Sequence, residues 1–371
     1  MTSHLLFSGI TVLDLTKVFS GPLATRYLAD HGATVIKIEP TDLPDPTRFY
    51  PPLKNGWSGY FEILNRNKQS INLNLKEIAD YKKFIELVKT ADVIVENMLP
   101  NVKTKLNIEY QTLKQHNPKI IVASLAGIDQ NTNTKYYDLI AQAESGLLSL
   151  TGTPETPTKI GPSVVDAFSG ANLAFAISSA LFYREKNGIG QELSVSMLAG
   201  AMNLLEQNLI EYSVKQTNPV RPGNHDTAIA PFGVFKTSDG FIALAIGDDK
   251  IWNSFITISE RFAELQSERY ISNQKRLDNL TELIQKIESI FSQFTTKQLV
   301  TLLKEHAIPC ASIREMSDVA SHEWFYKSQA LKKIEHPKLG TIIVPGNAIQ
   351  FSTEAQQPYT NAPELDANKN V

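Results

Sequence analysis

Gly9-Ile10-Thr11-Val12-Leu13-Asp14-Leu15, Phe19-Ser20-Gly21-Pro22, Leu23-Ala24-Thr25-Arg26-Tyr27-Leu28-Ala29-Asp30, His31-Gly32 and Ala33-Thr34-Val35-Ile36-Lys37-Ile38-Glu39 spell strand, turn, helix, stop and strand. The outer segments are apolar and β-branched, as strands demand. Gly32 supplies the helix stop. Two strands joined through one helix run parallel, so an α/β fold with a Rossmann-like parallel sheet is expected. The glycine fingerprint of a dinucleotide site is missing, because only Gly21 lies in the first strand–helix turn. Glu39 at the end of the second strand does not replace it, and a nicotinamide dehydrogenase is disfavoured.

The same pattern continues along the chain. Strands are expected over Ser70–Leu75, Ala91–Asn97, Ile120–Leu125 and Gln191–Ser196, with a helix over about 77–90 and another near Thr112. Asn97 falls at a strand's carboxyl end, where open α/β sheets bind ligands; it reads equally as a loop residue bonding its own backbone. Pro40–Trp57 is proline-rich and reads as an irregular surface loop. Met197 to about Tyr212 reads as one long helix. Pro219, Pro222 and Gly223 mark a linker, and Phe232–Ala245 reads as a hairpin turning at Ser238-Asp239-Gly240. Strand patterns return near Ser328, and the chain after Ala362 looks loose. The expected organisation is a large domain over 1–214, a linker and small α+β domain over 215–327, and a return to the large domain over 328–371.

Bulk properties narrow the class. The 371 residues are 42% hydrophobic and 20% charged, the balance of a soluble globular protein. A net charge of -3 offers nothing to nucleic acid. No apolar run reaches the roughly 20 residues of a membrane span, and the first residues do not read as a signal peptide. A cytoplasmic protein is expected. The lone Cys310 excludes an intrachain disulfide and a cysteine-built zinc site, and is expected to be packed.

Lys159-Ile160-Gly161-Pro162-Ser163-Val164-Val165-Asp166-Ala167-Phe168-Ser169-Gly170 delivers one carboxylate to the start of a helical pattern. Asp166 has two readings. As a cap it would bond the free amides of the first turn. As a nucleophile it would be kept ionised by the helix start, with Ala167, Ser169 and Gly170 small enough to let a substrate approach. Asp138, after Tyr136-Tyr137, is another acid at a helix start and could also be a cap.

The order of motifs resembles the family III CoA-transferases, the CaiB/BaiF family of formyl-CoA transferase and carnitine CoA-transferase, nearly end to end. The resemblance rests on Val12-Leu13-Asp14-Leu15 with Gly21-Pro22, Gly32–Glu39, Asn67-Lys68-Gln69-Ser70-Ile71-Asn72-Leu73, Asp92–Asn97 and Tyr137–Gln142. Asp166, Phe182-Tyr183-Arg184-Glu185 with Gly188, Gly190 and Gln191, and the stretch from Pro231-Phe232 to Asp239-Gly240 complete it. It implies a Rossmann-like large domain with a smaller α+β domain, in an interlocked, ring-like homodimer. It implies Asp166 as nucleophile. Coenzyme A contacts carry over by position to Phe19, Ser20, Leu73, Asn74, Leu75, Lys76, Asn97, Met98, Leu99, Lys105, Lys135, Tyr136, Tyr137 and Asp138. Lys105 would meet a phosphate as a point charge. Three features depart from the family pattern: the short loop Arg221–Asp226 in place of a glycine run, Pro40 after Glu39, and a C-terminus that stops after Ala362–Asp366 without the usual last helix.

The implied chemistry moves coenzyme A from an acyl-CoA to a small carboxylic acid through an aspartyl mixed anhydride and an aspartyl-CoA thioester. No permanently bound cofactor or metal is expected. The amides after Asp166 and those near the linker loop are candidate oxyanion donors. An α-methylacyl-CoA racemase shares the fold but places a His before the Asp138 position, where this chain has Tyr136 and Tyr137; tyrosine is a poor base at neutral pH. A coenzyme A-binding protein without turnover is the third reading.

Overall fold

In a computed structural model, which describes residues 5–40, 42–352 and 358–368, the opening stretch forms the centre of a sheet. β1 is Thr11–Asp14, β2 Thr34–Glu39, β3 Leu53–Lys54, β4 Trp57–Ser58, β5 Gln69–Asn72, β6 Val93–Glu96, β7 Ile121–Ala126 and β8 Glu192–Ser196. Six of these make one sheet in the order β5-β2-β1-β6-β7-β8, every pair parallel. β1, β6 and β7 are buried almost throughout, as central strands covered on both faces must be. β3 and β4 form a small separate ladder within the expected surface loop. That segment is not wholly irregular, because Asp45 caps a short helical turn over Pro46–Phe49.

The first helix, Ser20–Asp30, and the long helix, Val164–Asn187, lie against each other. Gly170 permits the approach: a Cβ there would stand 2.7 Å from the Ser20 carbonyl oxygen. Ser169 is fully buried. These small residues therefore serve helix packing, not the approach of a substrate as read from sequence. The long helix is long and apolar enough by composition to cross a membrane, against expectation. Its Val165, Leu173, Ile177 and Ala180 are buried within the protein.

The chain divides into two units. The larger holds 1–148, 159–217 and 323–371; the smaller holds 149–158 and 218–322. Residues 149–158 thus separate from the 1–214 span read from sequence. The reason is Arg221, whose guanidinium donates to the carbonyls of Thr153, Pro154 and Ser149. In the smaller unit β9 (Phe232–Lys236) and β10 (Phe241–Ala245) form an antiparallel hairpin joined by β11 (Cys310–Ser312). Its core centres on Phe235, Trp252, Phe255, Phe262 and Phe291, with Cys310 packed against it. In the larger unit β12 (Leu331–His336) and β13 (Gly340–Pro345) pair antiparallel.

Two further readings are corrected. Met197–Tyr212 is not one helix: Met197–Asn203 and Glu206–Lys215 are separated at Leu204-Leu205. The chain after Ala362 is not loose as far as residue 368. Asp366 and Asn368 accept hydrogen bonds from the Asn72 and Ser70 amides of edge strand β5, and Ala362 donates to Glu62. Those contacts give an open sheet edge its missing partners.

Candidate functional site

β1 leads into the first helix through Thr16-Lys17-Val18-Phe19. Val18 has φ of 75°, a left-handed conformation that is costly for a β-branched residue. Three side chains hold the strained turn. Asp14 accepts from the Thr16 amide at 2.9 Å and its hydroxyl at 2.5 Å. Asn97 accepts from the Lys17 amide at 3.0 Å and donates to the Lys17 carbonyl at 2.8 Å. Asp45 accepts from the Val18 amide at 3.3 Å. Asn97 therefore bonds the backbone of a different loop, not its own.

A buried ionic network underlies this turn. Lys68 meets Asp14 at 2.9 Å, Lys37 meets Asp45 at 3.0 Å, and Arg48 meets Glu39 at 2.6 Å. Burial alone would raise the Asp14 carboxyl. Lys68, Lys37 and the Thr16 hydroxyl outweigh it and hold the group well below the usual carboxylate range. Burial pushes Lys68 down to about 8 against the pull of Asp14.

Asp166 is the third residue of its helix and does not cap it. The capping acid is Asp138, from the helix Asp138–Glu144: its Oδ1 accepts the amides of Val165 at 2.9 Å and Asp166 at 3.2 Å. Gln142, one turn after Asp138, donates to its Oδ2 at 2.6 Å and accepts from the Ile160 amide at 3.2 Å. The pair clasps the chain on its way to Asp166. An i,i+4 polar pair in a short helix is the sequence signal that could have revealed it. The Ala167 amide bonds the Ser163 carbonyl. The amides of Val165, Asp166 and Ala167 are thus already occupied; of the amides after Asp166 expected to serve a developing oxyanion, that of Ala167 is spent within the helix.

Among the described residues the Asp166 side chain has one hydrogen-bond partner. The Ser20 hydroxyl donates to Oδ1 at 2.5 Å. Burial pushes the Asp166 carboxyl up to about 6; the Ser20 hydrogen bond lowers it and the Asp138 charge raises it further. The helix start does not keep it at an ordinary carboxylate value, though it remains mostly ionised at pH 7. Tyr60 is raised to about 12 by burial and by the charge of Asp166, and its ring meets Phe19 edge-on at 6.0 Å.

Asp166 borders a cavity of about 460 Å³ at the carboxyl ends of the central strands. Of the residues singled out from sequence, Phe19, Ser20, Asn97, Met98, Leu99, Lys135, Tyr136 and Tyr137 also line it. Leu73, Asn74, Leu75 and Lys76 do not; they follow β5, two strands away from β1. Asp138 lies behind the wall, holding Asp166. Lys105 is exposed and outside the cavity, whereas Lys103 lines it while paired to Glu96 at 3.1 Å. Lys17 also lines it and was not foreseen. Tyr136 donates to Glu144, which with burial raises its phenol and makes it a worse base still. Among the described residues no group of three or more His, Cys, Asp or Glu could hold a metal ion.

Comparison with known proteins gives a family match over nearly all of the chain. The family described as CoA-transferase family III matches residues 7–369. The chain is 33% identical over 366 residues to the acetyl-CoA:oxalate CoA-transferase of Acetobacter aceti, covering 97% of this chain and 93% of the relative. It is 32% identical over 374 residues to the succinyl-CoA:mesaconate CoA-transferase of Haloarcula marismortui, with the same two coverages. The crystal structure of a CaiB/BaiF family protein from Brucella suis matches with a TM-score of 0.87 at 28% identity, over 98% of this chain and 97% of that one.

Proposed function

This protein belongs to CoA-transferase family III, and from that premise we propose that it moves coenzyme A between two carboxylic acids with Asp166 as the covalent nucleophile. The observation that carries the reading is a carboxylate on the wall of the cavity with one oxygen held by Ser20 and the other, Oδ2, without a hydrogen-bond partner among the described residues. Oδ2 attacks the acyl-CoA carbonyl carbon; the C–S bond breaks and the thiolate leaves. The thiolate then attacks Asp166 Cγ, and the donor acid departs with Oδ2. The acceptor carboxylate attacks the resulting thioester and the sequence runs in reverse. Each nucleophile is already an anion, so no general base is required.

Coenzyme A would occupy the cavity between the Lys17–Ser20 turn, Asn97–Leu99 and Lys135–Tyr137. The two relatives act on acetyl-CoA with oxalate and succinyl-CoA with mesaconate, so small dicarboxylic acids head the candidate acceptors. The test is a panel of acyl-CoA donors and free acids read by mass spectrometry, with hydroxylamine trapping at Asp166. Expected are new thioesters, a modified Asp166, and a loss of at least about 10³-fold for Asp166→Ala. Wild-type transfer by that variant would sink the assignment. Proton exchange at the α-carbon of a 2-methylacyl-CoA in heavy water, without an acceptor, would favour the isomerase reading instead.

We also propose a homodimer. The long helix exposes Phe175, Phe182 and Tyr183, and Glu206–Lys215 exposes Leu209, Ile210 and Val214, a large apolar surface for a soluble monomer. Sedimentation at falling concentration should show a dimer throughout; a compact monomer at low concentration would refute an interlocked one.

A further inference from the structure

Ser20 does more than line the cavity. The residue is 2% exposed, so its hydroxyl has few alternatives to Asp166. The close crossing at Gly170 fixes the distance: Gly170 lies one turn after Asp166, and its Cα faces the Ser20 carbonyl. The backbone amides that could otherwise serve Asp166 are spent, those of Val165 and Asp166 on Asp138 and that of Ala167 on Ser163. Among the described residues, the hydrogen-bond donor that reaches the Asp166 carboxyl is the Ser20 Oγ, from the first helix.

Resting on the reading of Asp166 as nucleophile, we propose that Ser20 selects Oδ2 as the attacking oxygen and serves as the oxyanion donor for Asp166's own acyl carbon. Oδ1, held by Ser20, remains as the carbonyl oxygen of both the anhydride and the thioester. When the thiolate attacks Cγ, a C–S bond forms and the C=O electron pair moves onto Oδ1. The charge develops where the Ser20 hydroxyl already points. Collapse breaks the Cγ–Oδ2 bond and the pair leaves with the donor acid. Attack by the acceptor carboxylate on the thioester repeats this at the same oxygen, expelling thiolate. No proton is transferred in either step. Ser20 donates one hydrogen bond that strengthens as charge grows.

The groups facing Asp166 are few. Ser20 faces it from the first helix, Asp138 from the helix Asp138–Glu144, and Tyr60 from Gly59–Asn65. No cation pairs with it among the described residues. Removing the Ser20 hydroxyl should therefore raise the acid limb of activity, since the one influence that lowers Asp166 is lost.

The experiment uses Ser20→Ala, the near-isosteric weak donor Ser20→Cys, and Ser20→Thr, which keeps the hydroxyl. Exchange of a labelled free acid into its own acyl-CoA is measured with acetyl-CoA and succinyl-CoA. The carbon-13 signal of Asp166 is titrated without substrate. Expected for Ala and Cys is a fall in kcat of about 30- to 100-fold, little change in KM, and Asp166 titrating at higher pH. Thr should recover most of the rate. A merely structural role would leave the titration unmoved. If Asp166→Ala is inactive while Ser20→Ala keeps full kcat and an unmoved titration, the Ser20 proposal alone is wrong. If Asp166→Ala is active, the nucleophile assignment itself is wrong.

Discussion

Asp14 and Asp166 each accept a hydrogen bond from a hydroxyl of the first helix, Thr25 and Ser20 respectively, and they are treated in opposite ways. Asp14 takes hydrogen bonds from Thr16, Thr25 and Lys68, with Lys37 nearby. It ends well below the usual carboxylate range. Asp166 takes one hydroxyl, faces a second acid, and rises to about 6. Asp14 is fully buried and Asp166 only half-buried, yet Asp14 is the one held low, so burial does not separate the two. The partners do. A carboxylate surrounded by cations is locked in place and made a poor nucleophile. One left with a single neutral donor stays reactive, and the environment that leaves it so is destabilising.

The largest effect should come from breaking the Asp14 side. Asp14→Asn removes the counter-charge of Lys68 and leaves that lysine and Lys37 buried together. Breaking a buried pair from one side costs about 3–5 kcal/mol. Because the Asp14 carboxyl is depressed, its contribution is present above the unfolded value and lost only as pH falls through the folded one. The loss in Asp14→Asn should therefore be large at pH 5 to 8 by urea unfolding. A variant as stable as the parent at pH 7 would show that the network is not what holds the Thr16–Phe19 turn.

How much of this could be read beforehand follows from distance along the chain. The strand–helix–strand opening was legible because its apolar spacing and Gly32 are local signals. So was the hairpin at Ser238-Asp239-Gly240. Asp166 stood out as an acid at a helix start, but its cap reading failed because Asp138, 28 residues earlier, supplies the cap. Ser20 was picked by resemblance alone; its bond to Asp166 spans 146 residues, and no local pattern encodes it. The tie of Asn368 to Ser70 was missed for the same reason, since polar residues near a chain end look unpartnered until the sheet edge is in place. Residues 149–158 join the smaller unit through Arg221, some 70 residues on.

The smaller effect has the opposite sign and sharpens the contrast. Asp166→Asn keeps the shape of the side chain and an oxygen for the Ser20 hydroxyl, but cannot ionise. In the parent, folding raises the Asp166 carboxyl from 3.8 to about 6. A carboxyl raised by folding favours the native state while protonated, and that advantage is lost as pH climbs through the folded value. The two-unit rise sets a ceiling near 3 kcal/mol at about 1.4 per unit, and the open side of the cavity reduces it to about 2. Asp166→Asn should therefore match the parent near pH 4, gain between pH 4 and 6, and hold a plateau of about 2 kcal/mol above that. Its transfer activity should be abolished throughout. The measurement is thermal or urea unfolding of both proteins across that range. A difference flat with pH would mean that Asp166 is not desolvated, and the contrast with Asp14 would then rest on Lys68 and Lys37 alone. A gain confined to high pH would tie the reactivity of Asp166 to its instability, since the same missing cation accounts for both.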